Sequence, residues 1–268
     1  MLKDITFGQY YESQSPLHRA DPRMKIVLMI VLIVFVFLAG NIYAMLFSAA
    51  AVLVTLAISK VPFKMYFKNM KAILPVLIFT AILNLFYGDG QVLVEIWKLT
   101  ITTTGVYKAV FMALRIALLI FISSVLTYTT TPNDLTDAIE SLLSPLKFIG
   151  LRSTVHTLAM MMTIALRFIP TLVEEAEKIM NTQKARGADL ESGGLISRIK
   201  ALIPILIPLL ISSVRRAYEL AEAMECRCYN GGEGKTRMKQ MKLSVTDLWT
   251  VLGAAVICGG ILALNIML

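Results

Sequence analysis

Five stretches of this chain are long, apolar and almost free of charge: Ile26 to Ala39, Ile42 to Ser59, Ala72 to Tyr87, Ala109 to Thr127 and Val245 to Leu268. At about 1.5 Å of rise per residue, an 18-residue helix spans roughly 27 Å, close to the hydrocarbon thickness of a bilayer. The pattern therefore predicts an all-α, polytopic membrane protein with about five transmembrane helices. A hydrophobic content of 57% with a mean hydropathy of +0.71 exceeds what a soluble core uses. The first two runs are separated only by Gly40 and Asn41, so they are expected to form a tight hairpin.

Charge is segregated, and its placement predicts orientation. Lys and Arg near membrane ends are retained in the cytoplasm. Lys3, Arg19, Arg23 and Lys25 precede the first span, and Lys60, Lys64, Lys68 and Lys71 lie between the second and third. Both segments are expected inside, and the loop from Gly88 to Lys108 outside. Five crossings put the amino terminus inside and the carboxyl terminus outside the cell membrane. The first 25 residues stay polar through Asp21-Pro22-Arg23, which predicts no cleaved signal peptide. A net charge of +8 fits cytoplasmic loops, so no nucleic-acid partner is expected.

Three regions follow: residues 1–127 with four spans, residues 128–244 as a cytoplasmic helical coupling domain, and residues 245–268 as a last span. The middle region carries 15 basic and 12 acidic side chains in a helical pattern. A short helix opens at Pro132, with Thr131 as its cap, and stops before Pro145. A second runs from about Ser153 to Arg186 and a third from about Leu195 to Cys228, with Pro170, Pro204 and Pro208 expected to kink them. The apolar stretch from Ile199 to Ser213 reads either as a further span or as a helix at the membrane surface. Pro204, Pro208 and Lys200 favour the surface.

Sliding the chain along itself by 41 positions exposes a weak internal repeat. Val173 falls on Val214, Ala176 on Ala217, Ile179 on Leu220 and Arg186 on Arg227. Both copies finish as small residue, arginine, small residue: Ala185-Arg186-Gly187 and Cys226-Arg227-Cys228. An arginine with small neighbours at a helix end can enter a groove on a partner and bind carboxylates or carbonyls with its planar fork. A cation at a helix carboxyl end also simply complements the dipole. Two copies on paired helices favour docking. The same offset sets Glu174-Glu175 against Arg215-Arg216, which predicts that the two long helices cross there as an X with an arginine at each of two tips.

Three motifs carry a family resemblance: Pro16-Leu17-His18-Arg19-Ala20-Asp21-Pro22-Arg23-Met24-Lys25, then Arg167-Phe168-Ile169-Pro170 followed by Glu174-Glu175, then Ala185-Arg186-Gly187-Ala188-Asp189. Together they resemble the transmembrane T component (EcfT, CbiQ-like) of energy-coupling factor importers, in order over nearly the whole chain. The resemblance implies that Arg186 and Arg227 dock onto two ATP-binding cassette ATPase subunits. It further implies that the coupling helices hold a membrane-embedded substrate-binding S component for a vitamin or metal ion. The second box departs from the family's Ala-Arg-Gly in having cysteines on both sides of Arg227, which leaves the position of that helix end open.

Other signals are weaker than they look. Gly231-Gly232-Glu233-Gly234-Lys235-Thr236 ends like a phosphate-binding loop, but the required glycine five residues before Gly234 is Tyr229, and a helix rather than a strand leads in. Cys226 and Cys228 have no second Cys or His pair to complete a metal site, so neither metal nor cofactor is expected. Arg115 in the fourth span reads either as a snorkelling residue paired with Asp89 or Glu95, or as part of a substrate path. The spans offer little else that is polar beyond Thr80, Asn84 and Asp247. A non-catalytic transport subunit is therefore expected, with a self-sufficient permease binding solute between its own spans as the alternative.

Overall fold

The computed structural model describes residues 10–86, 92–96, 99–144, 152–188, 194–230 and 244–267. These make two compact units, one within Thr136–Lys239 and one within Gly8–Leu135 together with Gln240–Leu268. The second unit holds α1 (Pro16–Arg19), α2 (Pro22–Leu38), α3 (Ile42–Ser59), α4 (Phe63–Phe86), α5 (Thr103–Thr129) and α9 (Val245–Met267). In the first lie α7 (Arg152–Ala185) and α8 (Leu195–Cys226), while α6 (Pro132–Leu142) begins in the one unit and ends in the other. The architecture is helical, as the apolar runs predict.

Five helices among the described residues are long and apolar enough to cross a membrane: α3, α4, α5, α9 and, over Thr154–Ala185, α7. The number matches the expectation, but the set does not. The first apolar run forms α2, whose 17 residues reach about 25 Å. The apolar first half of α7 is as long as a span, whereas the sequence reading weighed only the stretch from Ile199 to Ser213 as an additional crossing.

Two boundaries shift. The third run is extended backwards to Phe63, because Lys64, Lys68 and Lys71 continue the helical turn rather than forming a loop. The fourth span begins at Thr103, whose predecessor Thr102 caps it by accepting the Gly105 N–H at 3.1 Å. The expected outer loop also contains an antiparallel pair, β1 (Val92–Ile96) and β2 (Leu99–Thr102), with Ile96 opposite Leu99. β-Branched residues recur at Val92, Val94, Ile96, Thr100, Ile101 and Thr102, and only two residues separate the strands, which favours a hairpin over open coil. In the coupling unit α7 and α8 continue through Pro170, Pro204 and Pro208 without a break.

The core of the spanning unit joins α2, α3, α4 and α5 around Met45, Leu56, Tyr66, Phe111, Leu118 and Tyr128. Tyr66 is 1% exposed, stands edge-on to Tyr128 with ring centroids 5.1 Å apart, and shares a 3.0 Å hydrogen bond with Ser59. α4 and α5 approach so closely at Gly105 that a Cβ there would lie 2.5 Å from the Leu85 carbonyl oxygen.

Polar ties fix both ends of this unit. Arg115, near the middle of α5, donates to the Ala39 carbonyl at 2.5 Å and lies over the Phe111 ring. It thus caps the carboxyl end of α2, a partner that neither sequence reading of this residue foresaw. From α9, Asn265 accepts the Gly40 N–H and donates to the Leu38 carbonyl, each at 3.2 Å, holding the same turn. At the other end Asp247, 3% exposed, accepts the backbone N–H groups of Asp21 and Ser244, both at 2.6 Å. Lys25 donates to the His18 and Thr129 carbonyls at 3.3 and 3.0 Å. Residues 16–25 therefore stitch the starts of α2 and α9 to the end of α5.

His18 completes this stitch. Its Nε2 lies 2.9 Å from the Tyr11 carbonyl, which can only accept, so Nε2 carries the proton and Nδ1 receives the Ser15 hydroxyl at 2.7 Å. Burial pushes its pKa below the usual histidine value, with the bond to Tyr11 opposing, which favours the neutral ring.

Candidate functional site

The apolar side chains of α7 and α8 face outward over their first halves, and charged ones crowd their second halves. The two helices pack on each other, and the polar contact between them is built on Glu175. Its Oε2 accepts from Arg216 Nη2 at 2.6 Å, and its Oε1 accepts from the Ser212 hydroxyl. The Ser212 hydroxyl, helped by the Arg216 guanidinium, holds the Glu175 carboxyl below the usual carboxylate range.

Of the four residues set against each other by the internal repeat, the structure brings together Glu175 and Arg216. Glu174 and Arg215 are exposed and form no ion pair among the described residues. Ser212 was missed by the sequence reading. Its signal is its place four residues before Arg216, one turn away on the same helix face, where a hydroxyl can share the carboxylate.

Both helices end in the same way. At the end of α7 the Gly187 N–H donates to the Lys184 carbonyl and the Ala188 N–H to the Gln183 carbonyl, each at 3.0 Å. At the end of α8 the Cys228 N–H donates to the Glu225 carbonyl at 2.8 Å and the Tyr229 N–H to the Met224 carbonyl at 3.1 Å. These four bonds correspond one for one at an offset of 41 residues. Each pair is the crossed arrangement of a Schellman cap, which needs a left-handed residue just past the helix. Gly187 supplies it with φ +86°, and Cys228 supplies it with φ +53°.

The identical caps put Arg186 and Arg227 at the same helical position, immediately before the left-handed residue. Both are exposed, as are Ala185 and Gly187 around the first and Cys226 and Cys228 around the second. Neither guanidinium has a partner among the described residues. An arginine so placed projects beyond the last turn, unobstructed by its neighbours, with all five N–H donors available. The arrangement can bind carboxylates or carbonyls on another molecule.

The described residues hold no group of three or more His, Cys, Asp or Glu side chains suited to a metal ion. Cys226 and Cys228 are free thiols. Asp189 and the segment 231–236 lie outside the described residues.

A model of the CbiQ family, described as cobalt transport protein, matches residues 13–239. The energy-coupling factor transporter transmembrane protein EcfT of Ruminiclostridium cellulolyticum is 50% identical over 248 residues, covering 92% of each chain. Its namesake from Clostridium kluyveri is 50% identical over 98% of each chain. The Bacillus subtilis protein of that name is 40% identical over 96% of this chain and 97% of its own.

Proposed function

The chain belongs to the CbiQ/EcfT family of energy-coupling factor transporter transmembrane proteins, and from that membership we propose that it couples ATP hydrolysis in two separate ATPase subunits to a membrane-embedded substrate-binding S component. The observation that carries this reading is the pair of matching helix ends, each presenting an arginine between small residues. Arg186 enters a groove on one ATPase subunit and Arg227 a groove on the other. Movement of these tips as the ATPases close on nucleotide is transmitted along α7 and α8, which the contact of Glu175 with Ser212 and Arg216 makes into one body. The exposed apolar first halves of the two helices then move the S component, whose cargo is a vitamin or metal ion.

In this arrangement residues 1–127 and 245–268 form the membrane part and residues 128–244 the coupling part, with the amino terminus inside and the carboxyl terminus outside. ATP hydrolysis belongs to the partners. The permease alternative gains little support from the spanning unit. A groove of about 1080 Å³ runs between α2, α3, α5 and α9, but its walls are mostly apolar, with Lys25 and a few hydroxyls such as Ser48 and Thr55. It suits an acyl chain or a helix better than a hydrated solute.

The test is a pull-down of the tagged protein from its native membrane in mild detergent. Co-purification of two ATPase subunits and a small hydrophobic binding protein is the expected result. A protein recovered alone that moves a solute in liposomes overturns the coupling role.

A further inference from the structure

The last two turns before each tip carry the same stripe with opposite charge. Lys178, Asn181 and Lys184 lie three residues apart on α7, and the 41-residue offset places Glu219, Glu222 and Glu225 at the equivalent positions on α8. All six are exposed. Spacings of three keep each set on one face of its helix, running up to the tip arginine. The repeat thus keeps the arginine and the cap while reversing the charge at two of the three stripe positions and adding a carboxylate at the third.

On α8 the stripe opposes local helix physics. Acidic groups near a carboxyl end face the negative pole of the helix dipole, and like charges three residues apart repel. α8 has no basic residue in its last turn, whereas α7 has Lys184 there. None of the three glutamates has an ion-pair partner among the described residues. Arg227 at the cap offsets part of this cost, and positive charge on a partner would offset the rest.

Resting on the docking function proposed above, we infer that the two stripes assign the tips to different ATPase surfaces. The Lys178–Lys184 stripe meets a groove with an acidic rim, and the Glu219–Glu225 stripe meets a groove with a basic rim. The shared arginine supplies docking at both. The stripes decide which ATPase subunit sits at which tip, since juxtaposed like charges oppose the wrong pairing.

The experiment uses the complex co-purified from the membrane, with a photo-cross-linking amino acid at position 182 or at its counterpart 223. Both positions are exposed and off the stripes. The expected result is that the two positions label two different ATPase polypeptides. Reversing the second stripe with Glu219→Lys, Glu222→Asn and Glu225→Lys should cut labelling from 223 roughly tenfold at low salt and leave labelling from 182 unchanged. This variant adds cations where the helix dipole favours them, so it does not threaten the helix. Labelling of the same polypeptide from both positions, or an unchanged yield from 223 after reversal, overturns the inference. Absence of ATPase labelling at both positions in the unaltered complex overturns the docking function itself, a separate outcome.

Discussion

The unit within Gly8–Leu135 and Gln240–Leu268 ties several of its polar side chains to its own backbone, whereas the tip arginines of the other unit have no partner among the described residues. In the former, Asp247, Lys25, Asn265 and Arg115 each reach backbone groups on another element. Along α7 and α8 the buried residues among those described are Ala159 and Ile205, and the tip arginines project without partners. Hydrogen bonds between elements far apart in sequence hold the ends of α2, α5 and α9 together. Between α7 and α8 the ion pair among the described residues is Glu175–Arg216, which is only half-buried.

The sharpest way to break this contrast is to destroy the tips and ask whether the spanning unit notices. Changing Arg186→Glu should weaken docking by about 1.5–3 kcal/mol, the usual loss for a charged hydrogen bond. The double change with Arg227→Glu should abolish uptake. Vesicle uptake and ATPase co-purification measure this, and thermal unfolding in detergent should stay as in the parent protein. Normal uptake in the double variant would refute tip docking.

The converse cut is Asp247→Ala. It leaves the buried Asp21 N–H without its acceptor, at a cost of about 1–3 kcal/mol, and frees the Ser244 N–H to water. The melting temperature in detergent should fall while cross-linking between the tips and the ATPases persists. An unchanged melt would mean that the ends of α2 and α9 are held by other contacts.

How these regions read from sequence differs for the same physical reason. The lipid-facing helices announce themselves by composition, and the tips by a local repeat, so both were legible. The contacts of Arg115 and Asp247 were not, because each joins residues far apart in sequence through backbone groups, which carry no side-chain signature. Asp247 reads as an isolated polar residue in an apolar run until its partners, Asp21 and Ser244, are seen. The motif from Pro16 to Lys25 was legible as a family mark, but its work at the end of the spanning unit was not. Ser212 is not marked by the repeat, because its counterpart at the 41-residue offset is Thr171, which has no role in the contact with Glu175. The hairpin at Val92–Thr102 was overlooked because only helical periodicity was sought between the spans.

The contact between α7 and α8 gives a smaller, pH-dependent effect. Glu175 is held below the ordinary carboxylate range, chiefly by Ser212 and then by Arg216. A lowered folded-state pKa makes the linked stabilisation fully present above the unfolded value. It declines as pH falls below that value and is gone once pH has passed through the folded one. A disulfide cross-link between cysteines placed at 175 and 216 tests proximity directly. In the unaltered pair, hydrogen exchange around Glu175 should stay slow at neutral pH and accelerate only on acidification below the ordinary carboxylate range. Glu175→Gln should flatten that dependence, and a profile identical to that of the parent would remove Glu175 as the titrating group.

The smallest effect separates the two tips themselves. They share a cap, yet Cys228 holds a left-handed backbone that Gly187 adopts without a Cβ, a difference of about 1 kcal/mol for an ordinary residue. Nothing lies within 4 Å of where a Cβ on Gly187 would stand, so Gly187→Ala introduces backbone strain without a clash. Reciprocal changes should therefore move the two ends in opposite directions by similar amounts. Gly187→Ala should speed exchange of the Ala188 amide, which donates back to Gln183, and Cys228→Gly should slow exchange of the Tyr229 amide, which donates back to Met224. If Cys228→Gly leaves Tyr229 unchanged, the thiol side chain compensates the backbone strain, and the second tip is a different structure from the first rather than a strained copy of it.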